Sequence, residues 1–363
     1  MKKLPESVMV IAPAALITAL VLVLGFVMVG PDGQTDEGRP SPTTSTTTSP
    51  APEPTQPSST PTEATGNSKN SPGSKGKDNG PSRPHGKLTA PQVTLKRKPR
   101  VKVTPATSIR IASFNLLGHS HTEKGGHKAK LASGPVRMGQ QLGILDSYRV
   151  EVAGLQELQP PQMAVLNNHS GTWGVYPGNL DRMSMPNSIV WRKSVFDAVR
   201  TETVSIPYFF GQPREMPYVL LEHKETKQRF WIANFHNPAN AHGDASRWRA
   251  AALAREVQLA NDLAADGYPI FFTGDMNDRA GYFCGLTGQT KMKAANGGST
   301  GGTCAPPTRM DVDWIFGSDE VLFSEFVSER TPAIARTTDH PIVVATATLP
   351  EKRERIKRKQ QRD

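Results

Sequence analysis

Carboxylate, amide and imidazole side chains recur in this sequence at one kind of place, the point where an apolar run stops. In YPIFFTGDMND (268–278) an aromatic and β-branched stretch breaks at Gly274 and delivers Asp275, Asn277 and Asp278 at once. The same happens at Asn115 after IRIASF, at Gln156 and Glu157 after VAGL, and at His236 and Asn237 after WIANF. Asp313 lies within MDVDWIF, and Asp339 and His340 lie in TTDHP just before the last apolar run. Such side chains hold hard cations, donate to anions and move protons. Taken singly, each has a plainer reading: a polar turn at 275–278, a surface carboxylate at Glu157, a satisfied structural histidine at His236. Turn chemistry has no reason to repeat at six strand ends. Strand ends in a sheet sandwich gather at one edge, so the recurrence points to a single convergent site.

The elements that position these residues follow from the pattern. SIRIASFN (108–115), VEVAGLQ (150–156), NSIVWR (187–192), YVLLEH (218–223), RFWIANFH (229–236), YPIFFTG (268–274), VDWIFG (312–317) and PIVVATATL (341–349) predict strands. Residues 244–267 predict a helix. Asp244 or Ser246 can cap it, Trp248, Ala252, Val257 and Leu263 fall on one side, and Gly267 ends it. Two weaker helices precede residues 150 and 170. Residues 106–350 therefore make one α/β domain, long enough to bury a sizeable core. Turn-linked strands such as 218–223 and 229–236 imply antiparallel pairing. Trp173, Trp191, Trp231, Trp248 and Trp314 are expected in that core. No internal repeat is present.

The flanks differ in kind. Residues 8–30 run for 23 positions without a charge, long enough to span a bilayer as a helix. A cleaved secretory signal is the rival, but its apolar core is shorter and ends in a small-x-small site, which does not follow here. An uncleaved signal anchor at 1–30 fits better. Lys2 and Lys3 before it, and Asp32, Asp36 and Glu37 after it, place the N-terminus in the cytoplasm and the rest outside, at the cell membrane. Residues 31–105 are rich in Pro, Ser, Thr, Gly and Lys and have almost nothing to bury, so they predict a disordered linker. Fully extended, it could reach on the order of 200 Å. Residues 351–363 form a basic tail. The net charge of +10 sits in these flanks, because residues 106–350 carry equal numbers of acidic and basic groups. The basic pI thus speaks to tethering and surface attraction more than to a polyanionic substrate. No run of basic residues interleaved with aromatics announces nucleic-acid binding.

The ordered motifs FN (114–115), QE (156–157), GDMN (274–277), DWIF (313–316) and TTDH (337–340) resemble the series of the endonuclease/exonuclease/phosphatase superfamily, the DNase I-like fold. The resemblance covers about 107–349. It implies a four-layer αββα sandwich of two mainly antiparallel sheets and Mg²⁺- or Mn²⁺-dependent hydrolysis of phosphoesters, nucleic acid first among them. Under it, Glu157 is the main metal ligand with Asn115 and Asp339 near, and Asp275 positions the attacking water or serves as a further ligand. Asn277 donates to a phosphate oxygen. His340 is the general base, or a phosphate donor when protonated, and Asp313 holds its other nitrogen. His236 stabilises charge on the phosphoryl oxygens. Two departures stand out. Several nucleases of the superfamily carry a Glu, paired with the histidine matching His236, where this chain has Pro186-Asn187. HNPAN (236–240) also replaces the commoner Thr-His-Leu. These departures keep a phosphatase or lipid-headgroup phosphodiesterase as the alternative, and a non-catalytic surface binder as the rival of another class. Nothing calls for an obligate protein partner.

Two local features complete the reading. His119, His121 and His127 form a cluster that reads as a polar loop at the site mouth or as a metal group. Cys284 and Cys304 are the only cysteines and bracket a Gly-rich segment. Export favours pairing them, two unpaired thiols being the other possibility.

Overall fold

Two strand–helix–strand crossovers, one per sheet, set the frame. The computed structural model describes residues 101–178, 186–299 and 302–355. The predicted anchor at 8–30 and all but the last five residues of the 31–105 linker lie outside these, as does the end of the basic tail. Among the described residues no helix is long and apolar enough to cross a membrane.

In chain order the first half comprises β1 (Val101–Thr104), β2 (Thr107–Asn115), α1 (Gly134–Ser147), β3 (Val152–Gln156), α2 (Pro160–Asn167), β4 (Trp173–Tyr176) and β5 (Ser188–Arg192). Then come β6 (Phe196–Pro207), β7 (Pro213–His223), β8 (Arg229–His236), α3 (Ser246–Ala264), β9 (Ile270–Asp275) and α4 (Ala280–Thr287). The chain continues through β10 (Met292–Ala294), β11 (Asp313–Ser318), β12 (Leu322–Glu329), α5 (Pro332–Ala335), β13 (Ile342–Leu349) and β14 (Lys352–Arg355). One six-stranded sheet has the order β12-β13-β2-β3-β5-β4, the other β10-β11-β9-β8-β7-β6. Each holds one parallel pair, β2–β3 and β8–β9, joined through α1 and α3; the other pairs are antiparallel. A third, two-stranded sheet pairs β1 with β14. Folded structure therefore reaches Val101 and Arg355, into the segments that the sequence assigns to linker and tail.

Three apolar clusters mark three interfaces, as four layers require. Ile109, Ile111, Val152, Phe230, Ile232, Phe271 and Ile315 meet between the sheets. Trp231, Ala233, Phe235 and Phe272 face the other way, onto Ala252, Leu259 and Leu263 of α3 and Phe283 of α4. Ala112, Phe114, Ala153 and Leu155 likewise face Met138, Leu142 and Leu145 of α1 and Met163 of α2. Central strands buried on both faces have no polar side to alternate, which is why they read as near-continuous apolar runs.

On α3 the buried positions Ala252, Glu256, Val257, Leu259, Ala260 and Leu263 keep helical spacing. The helix begins at Ser246 with Ala245 at its N-cap, and Asp244 accepts from the Ser246 amide and hydroxyl, ordering the turn before it. Trp248 is half-buried, unlike the other four tryptophans. Cys284 and Cys304 are joined in a disulfide.

Under the site the sheets are clamped by polar groups. Asn234 of β8 donates to the Leu155 and Ser188 carbonyls at 2.9 and 3.0 Å and accepts from Gln156 Nε2 at 2.6 Å and Thr273 Oγ1 at 3.3 Å. All of these side chains are buried. Gly154 makes room for the clamp, since a Cβ there would stand 2.1 Å from Thr273 Oγ1 and 2.3 Å from Asn234 Oδ1.

Candidate active site

The carboxyl ends of both parallel pairs arrive at the same place. In the first sheet Asn115 is in register with Gln156; in the second, His236 is in register with Asp275, and Asp313 of β11 with Asp275 from the other side. Adjacent strands thus deliver an imidazole and two carboxylates side by side, facing the amide and carboxylate at the ends of β2 and β3.

Asp275 is the hub. Its Oδ2 accepts from Asn115 Nδ2 at 3.1 Å and lies 3.6 Å from His236 Nε2 and 3.7 Å from His340 Nε2. Its Oδ1 accepts from the Asn277 amide at 3.0 Å. The other face of His340 is fixed by Asp313, with Nδ1 2.9 Å from Oδ2. Asn115 Nδ2 also donates to Glu157 Oε1 at 3.0 Å, while its Oδ1 accepts the Leu117 amide. That bond sets the amide orientation, so Asn115 presents its NH₂ to both carboxylates and ties them together. Glu157 Oε2 accepts from Gly118 N at 2.7 Å and from His121 Nε2 at 3.1 Å.

Asn277 lies at the site, but its Nδ2 donates to the Asn237 carbonyl at 2.8 Å. Asp339 stands at the rim, its carboxylate 3.2 Å from Lys128 Nζ. Asn187 is buried behind the site; its Nδ2 meets Met216 Sδ, and its Oδ1 has no partner among the described residues.

Local backbone and helix contacts hold these exits. Leu117, Glu157 and Asn277 have φ of 55°, 59° and 49°, left-handed conformations that non-glycine residues adopt at a cost of about 1–3 kcal/mol and that cluster at functional sites. Arg137, fully buried on α1, donates to the carbonyls of Leu116, Gly118 and Thr337, and Gln141 one turn later donates to Leu116 and Thr337. Thr338 donates to the Asn115 carbonyl at 2.8 Å and accepts the His340 amide at 3.2 Å. The DH turn is thereby riveted to the end of β2. No motif marks Arg137 and Gln141; their one sequence signal is an arginine and a glutamine spaced i, i+4 on an otherwise apolar helix face. The sequence offers His121 as part of a polar loop or a metal group, and nothing local links it to Glu157, its partner in the fold.

Electrostatics separate the groups. Burial works against ionisation of Glu157, but the His121 hydrogen bond, the nearby His236 and the Gly118 and Asn115 donors outweigh it and hold this carboxyl well below the usual range. Burial also works against a charged His340, yet Asp313, Asp275 and Asp339 push it up to about 10. Asp313 and His340 are a tightly linked pair, and the three surrounding carboxylates favour the proton on the imidazole. Hydrogen bonding to Glu157 raises His121. Asp275, Asp313 and His340 each offer an atom within 4.8 Å of the others and could together hold a cation. Glu157, Asp275 and Asp339 supply the hard oxygen donors that Mg²⁺ or Mn²⁺ prefers, which His340, committed to Asp313, does not. Two cavities border the site, one of about 630 Å³ beside Lys128, Arg330, Asp339 and His340, the other of about 920 Å³ beside Arg309, Asp311 and Asp313.

No curated protein matches the chain in sequence. A family model described as the endonuclease/exonuclease/phosphatase family matches residues 112–340. Among solved structures the chain is similar to the human Nocturnin catalytic domain with bound sulfate, at 18% identity and TM-score 0.51 over 69% of this chain and 97% of that one. It is similar to a mannosyl-6-phosphatase from Bacteroides thetaiotaomicron, at 16% identity and TM-score 0.51 over 66% and 99%. It is also similar to D. rerio TDP2 complexed with a single-strand DNA product, at 18% identity and TM-score 0.50 over 66% and 99%. At these identities the structural likeness speaks for the fold, and the family match covers every strand exit described above. The chain belongs to the endonuclease/exonuclease/phosphatase family of phosphoester hydrolases.

Proposed function

We propose that the chain is a Mg²⁺- or Mn²⁺-dependent phosphodiesterase of nuclease type, held at the cell membrane by residues 8–30 with its catalytic domain outside. The observation that carries the catalytic reading is the hub at Asp275, where two imidazoles and an amide from both sheets converge on one carboxylate. A binding module has no need of a buried Asp313–His340 pair aimed at such a carboxylate. The donors fit a hard divalent cation, held by Glu157 and Asp275 with Asp339 at the rim; when bound, it neutralises phosphate charge and stabilises the leaving oxygen. Asn115 bridges and orients the two inner carboxylates through its NH₂ group.

Asp275, fixed through both oxygens, orients the attacking water. His340, charged at neutral pH, donates from Nε2 to a phosphoryl oxygen, and Asp313 fixes its ring and tautomer. Of the two roles the motif allows His340, base or phosphate donor, the surrounding carboxylates favour the donor. His236 approaches the same phosphoryl group from the second sheet. The phosphatase or lipid-headgroup reading draws on Asn187, whose buried side chain offers His236 no carboxylate. The disulfide and the Lys2/Lys3-flanked apolar run support export.

One panel tests the activity: the solubilised full chain with Mg²⁺ or Mn²⁺ against plasmid DNA, RNA, inositol phosphates, sphingomyelin and bis-p-nitrophenyl phosphate. Cleavage of DNA or RNA supports the nuclease reading, turnover confined to the others moves the assignment to the second reading, and no turnover on any substrate sinks the enzyme. Protease added to intact cells should release a soluble fragment by cutting before Val101. A mature chain beginning after residue 30 would show a cleaved signal instead.

A further inference from the structure

A line of rings leads out of the site from His236. The turn between β6 and β7 carries Tyr208, Phe209 and Phe210. Tyr208 is buried and meets His236 edge-on, with 6.1 Å between centroids. Phe209 lies 4.5 Å from Tyr208, and His242 lies 4.7 Å from Phe209 and 5.7 Å from Phe210. Burial falls along this line until Phe210 is 67% exposed. Among the described residues the other exposed large hydrophobics are Val101, Val103, Val136, Val199 and Leu322, so Phe210 is the one ring in that class.

The exposure is built in. Phe210 has φ 58°, a left-handed conformation that bulky residues rarely adopt. The next residue, Gly211 at φ 76°, packs so closely on Trp248 of α3 that a Cβ would stand 2.7 Å from its ring. Backbone bonds from Gly211 to Tyr208, from Gln212 to Phe209 and from Tyr208 to Gln212 close the turn. The chain thus holds the Phe210 ring out in water on a rigid support. Two guanidinium groups stack on the rings that support the turn: Arg214 is 4.3 Å over the Tyr208 ring, and Arg247 is 4.2 Å over the Trp248 ring.

We propose that this ledge is a stacking subsite for an unpaired nucleobase of a single-stranded nucleic acid whose phosphate lies at His236. The proposal rests on the nuclease reading above and narrows its substrate. Base–aromatic stacking needs a free base face, which a single strand offers and a duplex hides. Arg214 and Arg247, on the rings beneath the turn, add positive charge that suits a phosphate backbone. The sequence shows no basic-aromatic run because the ledge is assembled from residues 208–214 and 242–248, brought together by the packing of the turn on α3. A lipid surface fits less well: membrane insertion draws on a broad apolar face, and this ledge exposes one phenyl ring.

The test uses the full chain in detergent. Fluorescence anisotropy in EDTA measures binding of a labelled six-nucleotide single strand and of its duplex. Phe210→Gly keeps the left-handed backbone and removes the ring; Phe210→Trp restores a ring. The expected result is tighter binding of single strand than duplex, about tenfold weaker single-strand binding in Phe210→Gly, and recovery in Phe210→Trp. Single-strand binding by Phe210→Gly equal to wild type, or wild-type preference for duplex, overturns the subsite, while cleavage of DNA or RNA by the wild type would leave the nuclease reading standing. Ring-dependent binding without cleavage of any nucleic acid keeps the subsite and removes the nuclease reading. If Phe210→Gly loses turnover of sphingomyelin in vesicles but keeps oligonucleotide binding, the ring contacts lipid and the proposal fails.

Discussion

Replacing Glu157 with glutamine keeps its volume and tests the metal assignment most directly. Both carboxylate oxygens act as acceptors, Oε1 for Asn115 Nδ2 and Oε2 for Gly118 N and His121 Nε2. Glutamine offers one acceptor oxygen. Whichever way its amide turns, the NH₂ meets a donor, and one buried donor left unpartnered costs about 1–3 kcal/mol. For a domain of this size that is a fall of roughly 2–10 °C in Tm. The effect on a bound cation is larger. One unit charge about 4 Å away contributes at most about 4 kcal/mol per cation charge at an effective dielectric of 20, and water taking the vacated place reduces this. Loss of a ligand's supporting partner alone weakens metal sites about 10–100-fold, so we expect at least the upper end of that range. Titration with Mn²⁺, following free Mn²⁺ by electron paramagnetic resonance, reads the affinity; turnover should fall at least about 10²-fold and recover in part at high Mn²⁺. The pH dependence gives a second reading. Because the folded pKa of Glu157 is depressed, its stabilisation is complete above the ordinary carboxylate value and is lost as pH falls through the folded one. The variant should lack that acid loss. Wild-type Mn²⁺ affinity together with wild-type turnover in Glu157→Gln would refute the assignment.

Other perturbations address the remaining groups. His340→Ala should cost at least about 10² in turnover while leaving Mn²⁺ affinity in place. Asp313→Asn removes the main support of the imidazolium, so the alkaline limb of the pH–rate profile should move down by more than one pH unit; a shift confined to the acid limb would make His340 a base. Burial pushes Glu256 up to about 7, so its protonated form is favoured in the fold, and stability present below the ordinary carboxylate value is lost as pH rises through 7. Glu256→Gln can still accept from Tyr282 and should be about 3 kcal/mol more stable than wild type at pH 8.5 yet similar at pH 4, as read by urea unfolding. Replacing both cysteines with serine should cost about 3 kcal/mol in the chain-entropy account, and thiol labelling of the native protein should require prior reduction.

The strands expected from the sequence all lie inside the sheets, and the strands it missed all lie at edges. β6 (FDAVRTETVSIP) is the longest strand, yet it is exposed over its first half and charged, so no apolar run marks it. β12 and β4, at the two ends of the other sheet, and the three-residue β10 are hidden for similar reasons of exposure or length. Edge strands carry charge because that discourages pairing with other chains, and the same charge erases the sequence signal. The site was legible where its residues end apolar strands, as Asn115, Glu157, His236 and Asp275 do. It was illegible where a contact spans a loop, as from His121 to Glu157, or where the fold decides which way a group turns, as with the Asn115 amide. Trp248, expected in the core, is half-buried because its ring supports Gly211, which composition does not reveal.

The small β1–β14 sheet fixes where the domain can be held. β2 runs nine residues, roughly 30 Å, from Thr107 beside that sheet to Asn115 in the site. β13 returns antiparallel from Ile342, next to His340, to Leu349, so chain entry and chain exit share one pole and the catalytic mouth occupies the other. A pull applied through the chain before Val101 or after Arg355 is borne by hydrogen bonds between β1 and β14, remote from Asp275. If the domain is held through residues before Val101, as proposed, the attachment enters at the pole opposite the mouth and leaves the mouth unobstructed by its own tether.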